Sequence, residues 1–125
     1  MSSPVILVVD DQEHIRKLAA VTLEMCGYRT LIARDGVEAL KHLEKQHVDL
    51  LLTDWAMPQM NGRELVAHVE NHFKEIPIVV FSCSSESLTQ TECRDLGIQG
   101  WIKKPFRIKI LQNTITKIFD ETQEA

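Results

Sequence analysis

Val48-Asp49-Leu50-Leu51-Leu52-Thr53-Asp54-Trp55-Ala56-Met57-Pro58 is an apolar run that ends abruptly on a carboxylate, with a proline four residues beyond it. A strand buried on both faces has this near-continuous apolar pattern, because helices covering both sides of a parallel sheet leave no face for polar residues. Asp54 is therefore expected to emerge at the carboxyl end of a strand spanning about 48–53. In an open parallel α/β sheet the loops at that rim form the crevice in which ligands bind. Asp54 is the first candidate for the chemistry.

Outward from this strand the pattern repeats on both sides. Upstream, Asp35-Gly36 opens a helix carrying Val37, Leu40 and Leu43, and before it lies a shorter, more polar strand over 28–33, an edge by its composition. A helical stripe of Ile15, Leu18, Ala19, Thr22, Leu23 and Cys26 precedes that strand and is closed by Gly27, a residue free to enter the left-handed region that ends helices. The first strand, over 4–9, also ends on acid, at Asp10 and Asp11. Downstream, Asn61 is the expected N-cap of a helix that buries Leu65, Val66, Val69 and Phe73. Pro77 starts a strand over 77–82, at the position where its missing donor does least harm. The polar stretch from Ser84 to Leu96, ending at Gly97, predicts a loosely held helix anchored by Leu88, Cys93 and Leu96. A fifth strand over 98–103 leads to Lys104 and is broken by Pro105; the last helix then presents Ile108, Leu111, Ile115 and Ile118 at 3, 4, 3 spacing. Five strand-helix units with short links predict a doubly wound α/β domain: a parallel sheet with helices on both faces and right-handed crossovers.

Composition sets the outer bounds. The 125 residues, 44% apolar and 26% charged, fit one domain over 1–125. A net charge of -4, a pI near 5.7 and no block of five like charges give no reason to expect direct nucleic-acid binding. No basic region precedes the first apolar run, and Val5 to Val9 is too short to span a bilayer, so a cytoplasmic protein without membrane insertion is expected. Cys26, Cys83 and Cys93 are odd in number and lack CxxC spacing, which reads as reduced thiols.

Four of the five strand ends deliver Asp10 and Asp11, Asp54, Ser82 and Lys104 to one rim. Two like charges about 4 Å apart repel by roughly 4 kcal/mol at an effective dielectric near 20, and one lysine does not neutralise three acids. The arrangement calls for a divalent cation, and hard oxygen donors without a His or Cys favour Mg2+ over zinc. Mg2+ takes phosphoryl oxygens as ligands and a carboxylate can act as a nucleophile, which points to acyl-phosphate chemistry. Singly, each residue has a plainer role: Asp11 as N-cap of the first helix, Asp54 as a turn residue before Pro58, Ser82 as a strand-end hydroxyl, Lys104 as a surface lysine. Those roles together leave the shared rim unexplained. His68 and His72, at i and i+4, lack a third ligand nearby in sequence and read as a solvated helix face.

Asp10-Asp11, Asp54 with Pro58 and Asn61-Gly62 behind it, Ser82, and Lys104-Pro105-Phe106 together resemble the receiver (CheY-like) domain of two-component response regulators, in order and spacing over nearly the whole chain. The resemblance implies a flavodoxin-like (βα)5 fold with strand order 2-1-3-4-5 and no output domain within this chain. It implies that Asp54 takes a phosphoryl group from a histidine kinase phosphohistidine or a phosphotransfer protein. Asp11, Asp54 and the Ala56 backbone carbonyl would hold Mg2+, with Asp10 acting through the metal's waters, while Lys104 and Ser82 would bind the phosphoryl oxygens. The switch would pass from the Ser82 loop to the fourth helix and to Trp101, changing the fourth-helix, fifth-strand, fifth-helix face toward a downstream target or a phosphorylation-linked homodimer. Activity would be limited to self-directed phosphotransfer and autodephosphorylation.

This chain departs from the family pattern at three places. Trp101 stands where Tyr or Phe is usual, and Cys83 where Ala or Gly is usual, so a bulkier ring lies beside a bulkier neighbour on the usual relay. Ala56, two places after the proposed nucleophile, offers no side chain to orient or block an attacking water. Trp101 and Cys83 motivate an alternative, a receiver-fold interaction module that binds partners without phosphorylation. A flavodoxin-like cofactor enzyme on the same topology is disfavoured, because Asp10-Asp11 would repel a phosphate.

Overall fold

The computed structural model describes residues 3–55, 57, 61–73, 75–82 and 89–124. Five strands alternate with five helices: β1 (Val5–Val9), α1 (Glu13–Met25), β2 (Arg29–Ala33), α2 (Gly36–Lys45), β3 (Leu50–Asp54), α3 (Gly62–His72), β4 (Ile78–Ser82), α4 (Gln90–Asp95), β5 (Ile98–Lys103) and α5 (Ile108–Glu124). All pairings are parallel and the sheet order is β2-β1-β3-β4-β5, the doubly wound arrangement expected from the strand-helix repeat. The polar β2 is indeed an edge.

Strand periodicity divides the core in two. Leu7, Val9, Leu51, Val80 and Ile98 point to one face and pack under Ala39 and Leu43 of α2 and Leu65, Val66 and Val69 of α3. Ile6, Val8, Leu50, Leu52, Val79 and Phe81 point to the other, under Ala19 and Leu23 of α1 and Leu111, Ile115 and Ile118 of α5. Because β3 and β4 bury every residue, neither carries the polar alternation of a half-exposed strand. Thr53 is the polar residue inside β3, and its hydroxyl donates to the Asp54 carbonyl at 2.9 Å, so its burial leaves it satisfied.

Several boundaries differ from the sequence pattern for identifiable reasons. Asp54 closes β3 instead of following it, because its backbone is still in register with Phe81 of β4. The packed face of α1 consists of Ala19, Ala20, Thr22 and Leu23; Leu18 is 44% exposed and Cys26 is an exposed C-cap residue, so the stripe through them is only partly a core stripe. Val37 of α2 is likewise exposed, with Ala39 and Leu43 doing the packing. Asp11 does not cap α1; Gln12 holds that position without a side-chain cap bond. Asp35 and Asn61 do cap, accepting from the backbone N–H groups of Glu38 and Glu64. Gly27, at φ 93°, ends α1 in the left-handed region as its type requires.

Two details of the right-hand side of the sheet matter for the site. The register of β4 with β5 slips between Ile78 and Val79, which pair with Ile98 and Gly100, so Gln99 is an extra residue in β5. Residues 98 and 101 would face opposite sides of a regular strand; the bulge lets Ile98 and Trp101 both pack on the α2/α3 side. The second detail is α4, six residues long, where the sequence predicts a helix over 84–96; residues 83–88, Cys83 and Leu88 among them, lie outside the described residues. No helix among the described residues is long and apolar enough to cross a membrane.

A reciprocal cap fixes the start of α4: the Thr89 hydroxyl accepts from Glu92 N–H at 3.1 Å and the Glu92 carboxylate accepts from Thr89 N–H at 3.0 Å. The Thr89 backbone N–H, then its hydroxyl, hold the Glu92 carboxyl below its ordinary value, with the Arg63 charge adding to the effect. A carboxyl lowered by folding stabilises the fold above its unfolded pKa, and the contribution is lost as pH falls through the lowered folded value. The first turn of α4 is therefore expected to loosen in acid, below the ordinary glutamate range. Backbone amide shifts across 89–93 followed by NMR from neutral pH downward should report that transition, and Glu92→Gln should flatten it.

Candidate functional site

The rim at the carboxyl ends of β1, β3, β4 and β5 brings together the residues that the sequence places there. Asp10 follows β1 and is wholly buried; its N–H donates to Ala33 O, and one carboxylate oxygen accepts from Gln12 N–H at 2.8 Å. The Arg16 guanidinium reaches back from α1 and donates to the Asp10 carbonyl at 2.9 Å. Lys104 follows β5 with 6% of its side chain exposed, and its ammonium lies 2.7 Å from the second oxygen of Asp10 and 3.3 Å from Asp54. The same ammonium sits 4.8 Å from the centre of the Phe81 ring, which closes it off from below. Ser82, buried at the end of β4, accepts the Lys104 backbone N–H on its carbonyl at 2.8 Å, tying the two strand ends together.

Asp11, by contrast, is exposed, and it completes an acidic group: one carboxylate oxygen each from Asp10, Asp11 and Asp54 lies within 4.8 Å of the others. Three carboxylates and one ammonium leave the group two negative charges in excess, or one when the Arg16 guanidinium at the Asp10 carbonyl is counted. Like charges at this separation repel by about 3–4 kcal/mol at an effective dielectric near 20, so a cation lowers the energy of the arrangement. The donors are all hard oxygens. Mg2+ keeps several of its waters when it binds, so carboxylates this close together could share one ion, some directly and some through those waters. The residues suit Mg2+.

His68 and His72 stack with ring centres 4.4 Å apart, and no group of three potential ligands among the described residues includes them. Ala56 and Pro58 lie outside the described residues, as does Cys83. Trp101 is half-buried on β5 and meets Trp55 edge to face, with ring centres 5.2 Å apart and planes at 62°.

Two supports of the site exceed what the sequence pattern conveyed. Arg16 is one, since its role depends on a turn of helix folding back over the Asp10 carbonyl. Gly62 is the other: a Cβ there would lie 2.2 Å from the Asp54 carbonyl oxygen and 2.6 Å from Trp55 Cα. The Gly62 N–H donates to Trp55 O at 2.8 Å, so α3 begins in direct contact with the main chain that carries Asp54. The Asn61-Gly62 pair signalled this position, as a cap followed by a residue without a side chain.

A family model described as the response regulator receiver domain matches residues 6–116. The chemotaxis protein CheY1 of Helicobacter pylori is 36% identical over 114 residues, covering 88% of this chain and 92% of that protein. The CAI-1 autoinducer sensor kinase/phosphatase CqsS of Vibrio cholerae is 38% identical over 113 residues; the match covers 88% of this chain but 16% of the kinase, so the chain spans about one sixth of that relative. The solved structure of the chemotaxis response regulator CheY4 of Vibrio cholerae superimposes with a TM-score of 0.85 at 32% identity, covering 94% of this chain and 99% of that one.

The contact at Gly62 is backbone against backbone, with no flexible side chain to give way. Gly62→Ala is expected to destabilise the fold by about 1–3 kcal/mol, the usual cost of forcing extra volume into a packed region. A urea unfolding midpoint lowered without a change in slope would register it.

Proposed function

The chain belongs to the response regulator receiver family, a signalling module of two-component systems, and on that premise we propose that it accepts a phosphoryl group on Asp54. The observation that carries this reading is the buried Asp54 carboxylate, 3.3 Å from the Lys104 ammonium and grouped with Asp10 and Asp11. A carboxylate at an open rim, with acids to take up a cation and an ammonium to meet phosphoryl charge, is arranged for transfer by positioning and electrostatics.

In the transfer an Asp54 oxygen attacks the phosphorus of a phosphohistidine on a histidine kinase or phosphotransfer protein. The O–P bond forms as the P–N bond breaks; its electron pair stays on the imidazole nitrogen, which takes up a proton. Asp11, Asp54 and the Ala56 carbonyl would hold Mg2+, with Asp10 acting through its waters, and the ion would offset the charge of the acids and the phosphoryl oxygens. Lys104 exchanges its contact with Asp54 for a phosphoryl oxygen while keeping Asp10, and the Ser82 hydroxyl donates to another. In hydrolysis a water attacks the phosphorus, the O–P bond breaks, and the Asp54 carboxylate and inorganic phosphate are released. The added charge of about -1.5 to -2 acts on Ser82, α4 and Trp101, and the face formed by α4, β5 and α5 meets a downstream target or a second copy. This cytoplasmic module makes no direct contact with nucleic acid and modifies only itself.

Acetyl phosphate or a phosphorylated histidine kinase should label the protein in the presence of Mg2+, and Asp54→Asn should abolish the label. A wild type that stays unlabelled with both donors overturns the reading. Mg2+ should also change the fluorescence of Trp55, the residue directly after Asp54. Asp11→Ala should raise the half-saturating Mg2+ concentration at least about tenfold.

A further inference from the structure

Trp55, directly after β3, and Trp101, on β5, are the chain's two tryptophans, and they touch although β4 lies between those strands. Neighbouring strands are spaced about 4.8 Å apart, so the main chains of β3 and β5 run roughly 10 Å apart. Only two indoles leaning over β4 from both sides close that gap to 5.2 Å between ring centres. Val80 of β4, in register with Trp101, belongs to the same core cluster. The bulge at Gln99 is what turns Trp101 to this side of the sheet.

Trp55 is held firmly at its own end. Its N–H donates to Phe81 O at 3.2 Å, its carbonyl accepts from Gly62 N–H at 2.8 Å, and the Arg63 guanidinium lies 5.1 Å from the centre of its ring. The Asp54 main chain, the Trp55 ring and the edge strand thus lie on one continuous line of contact. Arg63 carries the same contact toward α4, whose Glu92 feels its charge.

We propose that the Trp55–Trp101 contact is a direct coupling between the Asp54 site and the edge strand β5, crossing over β4 without passing through the segment after Ser82. The proposal rests on the phosphoacceptor reading above. If the ring contact links the site to β5, substituting Trp101 changes the affinity of the site for a phosphoryl mimic. An edge-to-face ring pair sets the scale of that change at about two- to tenfold.

The test uses Mg2+ with beryllofluoride, and its first readout needs no variant. The two indoles should give an exciton couplet in circular dichroism, absent from Trp55→Phe and from Trp101→Phe, and its amplitude should change when beryllofluoride binds. The second readout is calorimetric: Trp101→Phe should change the beryllofluoride Kd about two- to tenfold in the parent chain and less than twofold in the Trp55→Phe background. Beryllofluoride that binds the wild type while leaving the couplet unchanged overturns the coupling alone, as does an additive double-mutant cycle. A wild type that does not bind beryllofluoride removes the phosphoacceptor reading, and the coupling with it.

Discussion

A lysine ammonium nearly removed from water must be paired, and Lys104 is paired twice, with Asp10 at 2.7 Å and Asp54 at 3.3 Å. Removing the ammonium would leave the buried Asp10 carboxylate uncompensated, at about 3–5 kcal/mol. The three residues come from the ends of β1, β3 and β5, so one ammonium fixes the relative height of strands that span most of the sheet. The backbone bond from Lys104 N–H to Ser82 O adds β4 to the same constraint. The rim is therefore a rigid frame around an excess of negative charge.

That excess is tolerable because it is graded by burial. Asp10 is fully enclosed and spends both carboxylate oxygens on Gln12 N–H and Lys104. Asp11 is exposed, where solvent screens it, and Asp54 stands between them in burial. A cation entering from solvent would meet Asp11 first and Asp54 next, with Asp10 already engaged by Lys104. The same gradient orients Lys104: its contact with Asp10 is the shorter, so it can release Asp54 and remain anchored.

Much of this was legible in the sequence because buried parallel strands leave a strong trace. The apolar runs ending on Asp10, Asp54, Ser82 and Lys104 set the strand order along the chain and the shared rim. Helix faces were less legible. In α1 the packing is done by Ala19, Ala20 and Leu23, and small residues allow a close approach that leaves the larger Leu18 on the rim. Hydrophobicity ranks Leu18 above Ala20, whereas packing distance does the reverse. The position of Trp101 was legible but its facing was not, since a bulge adds one residue without any change in composition. The approach of Gly62 to the Asp54 carbonyl has a sequence trace only in the missing side chain.

The bulge at Gln99 also divides β5 into two lengths of ladder. Above it, Gly100 to Lys103 pair without interruption with Val79 to Ser82, and Lys104 follows at once. Below it, Ile98 alone keeps the earlier register with Ile78. Changes in chain length that arise between α4 and β5 can thus be absorbed at the irregularity, whereas an insertion after Gly100 would carry Lys104 out of reach of Asp10. The upper segment is closed to insertions and deletions, and the lower one is where the domain can vary the length of its α4 connection without touching its charge centre.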